Sequence, residues 1–157
     1  MEADAHGPLD ASICIITPPH NPPQSALTNT IPTSNTMVYR VIVFASRKSP
    51  ITHEEFKARY EQHMRMVAEI CGDAAPLTHT RSYLKHDAES TPMLLAGSVN
   101  ETYDAVVTMS FEDEAAFGRF CLALNTPEAK AMIEADEAGF WDQERMKVMV
   151  VEETKTS

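Results

Sequence analysis

MVYRVIVFAS, residues 37–46, is the stretch on which the fold turns. It is rich in β-branched and aromatic residues and reads as the first strand. At a strand's two-residue period, Val38, Ile42 and Phe44 lie on one side and Tyr39, Val41 and Val43 on the other. Both sides are apolar. The closing stretch RMKVMVVEE, residues 145–153, repeats the pattern, with Val148 and Val150 opposing Met149 and Val151. A sheet built on such strands needs a layer over each face.

Working inward from these two strands, SPITHEEF (residues 49–56) opens a helix. Thr52 is a good N-cap, and Glu55 three residues later completes a capping box. The helix is expected to run to about Cys71, with Gly72 as its left-handed stop. Its seam is Phe56, Tyr60, Met64, Val67 and Ile70 or Cys71, with His63 on or beside it. LTHTRSYLKH is the second strand and TYDAVVTMSF the third. EDEAAFGRFCLAL is the second helix, with Phe117, Phe120 and Leu124 on one side. Helix restarts after Thr126, with Pro127 in the first turn, and Gly139 is expected to end it. The order is β-α-β-β-α-β, an α+β chain of ferredoxin-like plan with an antiparallel sheet. Its helices can cover one sheet face only. Leaving the other face wet would forfeit many kcal/mol at roughly 25 cal/mol per Å². The economical cover is a second copy of the sheet, giving a homodimer with a dimeric α/β barrel between subunits.

The 157 residues suffice for one domain, and 43% hydrophobic residues suffice for a core. Composition shifts near residue 37: residues 1–36 hold six of the ten prolines and read as a disordered leader to a domain spanning 37–157. A net charge of -10 argues against nucleic-acid and anionic-membrane partners. No apolar run approaches the roughly 18–20 residues that span a bilayer. The Met-Glu-Ala-Asp start lacks the marks of a secretory signal, so a cytoplasmic location is expected. Cys14, Cys71 and Cys121 suggest neither disulfides nor a zinc knuckle; Cys71 and Cys121 read as core residues.

Chemistry concentrates in PLTHTRSY, residues 76–83. Leu77, His79, Arg81 and Tyr83 project to one side of the strand, and Thr78, Thr80 and Ser82 to the other. His63, His79 and Arg81 are expected to reach a common cavity, with Tyr60, Met64 and Tyr83 as its substrate-binding lining. Imidazole exchanges protons near neutral pH, and guanidinium offers paired donors to a carboxylate or phenolate. Aromatic and Met walls suit a flat ring system. The blander alternatives are a core histidine at 63 and an arginine paired with a surface carboxylate at 81. His86 reads as solvated turn chemistry, and His53, His6 and His20 are not persuasive. His79 and His86 are poorly spaced for a shared ion, so no metal site is expected. EADE, residues 134–137, reads as a solvated helix face. GxGxxG, GxxxxGK[ST] and HExxH do not occur, so no cofactor is expected.

EEFKARYEQHM on the first helix, PLTHTRSY on the second strand and the closing GFWDQERMKVMVVEE carry a family resemblance. Over roughly residues 38–153 the chain resembles EthD domains of the dimeric α/β-barrel superfamily, particularly fungal members tied to aromatic polyketide pathways. The resemblance implies a ferredoxin-like homodimer without an organic cofactor. It also implies a polycyclic phenolic polyketide substrate, with decarboxylation of an anthrone-type carboxylic acid as the leading reaction. Under that reading Arg81 binds the carboxylate or enolate oxygen, His79 protonates the ring carbon, and His63 holds a phenol or relays a proton. A cofactor-free anthrone oxygenase, a dehydratase or cyclase, and a non-catalytic dimeric binding protein are the alternatives.

Overall fold

The computed structural model describes residues 38–98, 102–152 and 154–155; the expected leader lies outside the described residues. Strand β1 is Tyr39–Ala45, β2 Thr78–Tyr83, β3 Ala105–Phe111 and β4 Lys147–Val151. Helix α1 is His53–Cys71, α2 Glu114–Leu124 and α3 Pro127–Glu137. Short 3-10 turns follow α1 at Gly72–Ala74 and precede β4 at Gln143–Arg145.

Each helix begins where its cap chemistry says it should. Thr52 Oγ1 accepts from the Glu55 N–H at 3.1 Å, Asp113 Oδ1 from Ala116 at 2.7 Å, and Thr126 Oγ1 from Ala129 at 3.3 Å. Gly72 ends α1 at φ +49°, where a side chain would strain the backbone. Helix α3 stops differently from expectation. It ends at Glu137 with Ala138 as cap, and Gly139 has another task. A Cβ there would come within 3.1 Å of Arg59 Nη1, which donates to the Gly139 carbonyl.

The sheet order is β2-β3-β1-β4, with every neighbouring pair antiparallel. This is the ferredoxin-like arrangement expected from the element order. Cross-strand partners share a face, so the register sorts the side chains. Val41 faces Met109 and Val43 faces Val107, and all four are buried under the helices. His79 pairs with Met109 and Arg81 with Val107, so β2 also turns its imidazole and guanidinium towards the helices. Above them lie Phe56, Tyr60, His63, Val67 and Cys71 of α1, Phe117, Phe120 and Leu124 of α2, and Ile133 of α3. Phe140 and Trp141, just past α3, close the core against Tyr60. Cys71 and Cys121 are buried within this core.

The opposite face carries Ile42 and Phe44 of β1, Val106 of β3, and Met149 and Val151 of β4. Met149 is 51% exposed. The two-sided apolar character thus holds only in the middle of β1 and β4, flanked by Arg40 and Lys147; β3 adds Thr108 and Ser110, and over β2 the outer face is Thr78, Thr80 and Ser82. Among the described residues no helix is long and apolar enough to cross a membrane.

Candidate active site

His63 sits mid-way along α1 where the seam is fully covered, and its side chain is 1% exposed. Its Nδ1 lies 2.7 Å from Asp136 Oδ2, and its Nε2 lies 3.5 Å from Glu137 Oε1. Both carboxylates come from the last turn of α3. Glu137 is equally buried and accepts from Gln143 Nε2 through its other oxygen. The Nδ1–H donates to Asp136, which fixes the ring's orientation. That leaves Nε2 facing the buried Glu137 carboxylate, 3.5 Å away.

These acidic partners correct the sequence expectation. Residues 134–137 do not form a uniformly solvated face: Asp136 bonds a buried imidazole, and Glu137 is part of the interior. A signal was available for Glu137, which falls four residues after Ile133 on α3's buried side; Asp136 lies at the edge of that side.

His79 approaches the same space from β2. It lines one cavity with His63, Tyr60, Met64 and Glu137, the remaining wall being aliphatic residues such as Val107 and Leu124. Burial, reinforced by the Arg81 charge and opposed by Glu61, brings the His79 imidazole down to about 4. The ring is therefore neutral at physiological pH. The free space is about 20 Å³, room for one water, so a flat aromatic ligand requires the walls to part. Met64, only partly buried, is the most adaptable part of that wall.

Arg81 and Tyr83 go elsewhere. Arg81 donates from Nε and Nη2 to the two oxygens of Glu61, at 2.8 and 2.9 Å, and the Tyr83 hydroxyl donates to Glu61 Oε1 at 2.6 Å. This fork holds the Glu61 carboxyl below its usual range. Burial, and then the Glu61 contact, raises the Tyr83 phenol. The structure thus brings His63, His79, Tyr60 and Met64 together and sets Arg81 and Tyr83 on a clamp alongside.

Two histidines set aside from the sequence are also buried. His86 is not solvated turn chemistry, its side chain being 4% exposed, and His53, in the first turn of α1, is 8% exposed; each presents a ring nitrogen to Asp104.

The depressed His79 value has a consequence for stability. An unfolded chain protonates this histidine near pH 6.5, while the folded chain resists until about 4. Between those limits the unfolded state binds more protons, so His79 destabilises the fold progressively as pH falls from 6.5 towards 4 and costs nothing above 6.5. Allowing for partial exposure, the loss is about 2 kcal/mol. In urea unfolding across pH 4–7, the stability of the wild type relative to His79→Gln should fall by about 2 kcal/mol from the neutral to the acid end; parallel curves would contradict this assignment.

The sequence of residues 48–144 matches a family model described as EthD domain. No curated protein matches the chain. Among solved structures, an EthD family protein from Bacillus halodurans C-125 is 14% identical, covering 75% of this chain and 100% of its own at a TM-score of 0.47. A dimeric ferredoxin-like protein from Bacteroides fragilis is 10% identical over 73% and 92% of the two chains, at a TM-score of 0.42. An Arabidopsis thaliana protein is 14% identical over 76% and 90%, at 0.47.

Proposed function

The chain belongs to the EthD domain family, and from that premise we propose that it is a lyase, decarboxylating a hydroxylated polycyclic aromatic carboxylic acid of polyketide type without an organic cofactor. The observation that carries this reading is the pair of imidazoles in one apolar cavity, one backed by two carboxylates and the other held neutral. Decarboxylation of an aromatic acid needs a proton delivered to the ring carbon that bears the carboxylate. The carbon–carbon bond then breaks, its electrons return to the ring, and carbon dioxide leaves. His63 suits the donor role, with Glu137 beside its Nε2 and Asp136 stabilising the imidazolium from the far side. His79 is uncharged at neutral pH and has no imidazolium proton to give, so the donor role falls to His63. His79 instead accepts a hydrogen bond from a substrate phenol. Burial keeps His79 neutral, and Arg81, engaged by Glu61, acts as a positioning residue whose charge adds to that effect. The aliphatic walls favour loss of the compact carboxylate charge as it spreads over the ring.

Incubation with a panel of hydroxylated anthrone and anthracene carboxylic acids, with and without oxygen, tests the reaction by product mass. Loss of carbon dioxide in both atmospheres is expected. Product formation only in oxygen indicates an oxygenase, loss of water a dehydratase or cyclase, and tight binding with unchanged mass a carrier.

The same reading includes a homodimer formed through the open sheet face. Ile42, Phe44, Val106, Met149 and Val151 give this face an apolar centre, bordered by Arg40, Lys147 and Thr108, that no helix of the described residues covers, and a second copy supplies a matching one. Light scattering behind size exclusion should give twice the chain mass for the wild type. Phe44→Glu should yield folded monomer. A monomeric wild type at micromolar concentration would end the dimer assignment.

A further inference from the structure

Asp104, just ahead of β3, is 3% exposed and gathers groups from three other segments. Arg47 gives its backbone N–H to Oδ2 and its Nη1 to Oδ1, both at 2.8 Å. His53, the first residue of α1, places Nδ1 2.7 Å from Oδ1. His86, beyond β2, places Nε2 3.3 Å from that same oxygen. The two imidazoles stack, with centroids 3.8 Å apart. One carboxylate oxygen has two lone pairs, yet three nitrogens address it.

The tautomer of His86 sharpens the point. Its Nδ1 lies 2.8 Å from the Leu84 carbonyl, which can only accept, so Nδ1 carries the hydrogen. In the neutral ring Nε2 is then a lone pair aimed at a carboxylate oxygen. Two lone pairs held 3.3 Å apart in a buried site repel unless a proton or a metal cation lies between them. That separation is also what two ligands show when they share an ion about 2.0–2.2 Å from each. A backbone carbonyl on the remote ring nitrogen is the usual support of a metal-binding histidine.

We propose that His53, His86 and Asp104 form a binding site for a divalent transition-metal ion of the zinc type. The ligand atoms, His53 Nδ1, His86 Nε2 and an Asp104 oxygen, all lie within 4.8 Å of one another. Two imidazoles and one carboxylate suit zinc, cobalt or ferrous iron and disfavour magnesium and calcium, which take oxygen donors. On ion binding Arg47 Nη1 yields Oδ1. The Arg47 backbone N–H still holds Oδ2, and its Nη2 still donates to the Ser90 carbonyl at 2.8 Å. His86 and Asp104 border an open cleft of about 520 Å³, so further coordination positions are accessible to water or an anionic ligand. This site is distinct from the His63–His79 cavity, and its occupancy is independent of the reaction assigned there.

Isothermal titration of the EDTA-stripped full chain with zinc, repeated with cobalt and magnesium, tests the proposal. One equivalent of zinc should bind at micromolar affinity or tighter, cobalt should produce a visible d–d absorption, and magnesium should give no saturable heat. His53→Ala and His86→Ala should each weaken zinc at least tenfold. His86→Gln, which retains a donor for Leu84, serves if an alanine variant fails to fold. The His6→Ala/His20→Ala double variant should bind as the wild type does. Absence of saturable zinc binding, equal binding of magnesium, affinity unchanged by the position 53 and 86 variants, or affinity lost with positions 6 and 20 would each overturn the site.

Discussion

Replacing Asp104 with alanine should destabilise the fold by about 3–5 kcal/mol, measured by urea unfolding in the presence of EDTA. The large effect follows from what is left behind. The Arg47 guanidinium keeps only the Ser90 carbonyl, its backbone N–H loses a partner, and His53 is stranded in the interior. Removing one member of a buried charge cluster costs more than the cluster contributes, because the remaining charge stays desolvated. Asp104→Asn should fall between wild type and alanine, since an amide oxygen can still accept but brings no countercharge. A loss below about 1 kcal/mol for the alanine variant would show that the cluster relaxes towards solvent, contrary to its burial.

The second large effect is on rate. His63→Gln should lower kcat by about 10²-fold or more for the decarboxylation proposed above, the usual range for losing a general acid. KM should change little, because the side chain contributes to proton delivery more than to holding the ring. Glutamine is the informative replacement: it can still donate to Asp136 but cannot deliver a proton. Alanine would confuse the result by leaving Glu137 facing an empty space in the core. Asp136→Asn should produce a smaller fall in kcat accompanied by a shifted pH profile, as expected of a residue acting through the imidazole. If His63→Gln turns over at nearly the wild-type rate while remaining folded, the donor lies elsewhere.

The chain announced its fold clearly because local signals and burial agreed. Thr52 and Thr126 cap helices as their sequence context indicates, and Phe56, Tyr60, Val67 and Cys71 fall on one buried seam. Alternation also told correctly which way His79 and Arg81 point. It could not tell how far each reaches. His79 enters the cavity, whereas Arg81 meets Glu61, a pairing across 20 residues that periodicity does not encode. Asp136 and Glu137 were hidden by composition, since four consecutive residues with three acids look like a water-facing surface. The Asp104 cluster was out of reach for another reason: its members come together only through tertiary structure, His53 lying 51 residues away. Polar groups brought together by the fold leave no periodic trace.

The sidedness of the sheet has one more implication. His63 and His79 lie beneath the helices, while the uncovered stripe through Phe44 and Met149 is on the reverse. If two copies meet back to back, the two His63–His79 cavities end up at opposite outer walls, each lined, among the described residues, by its own polypeptide. The shared seam then works as a spacer that holds the cavities apart.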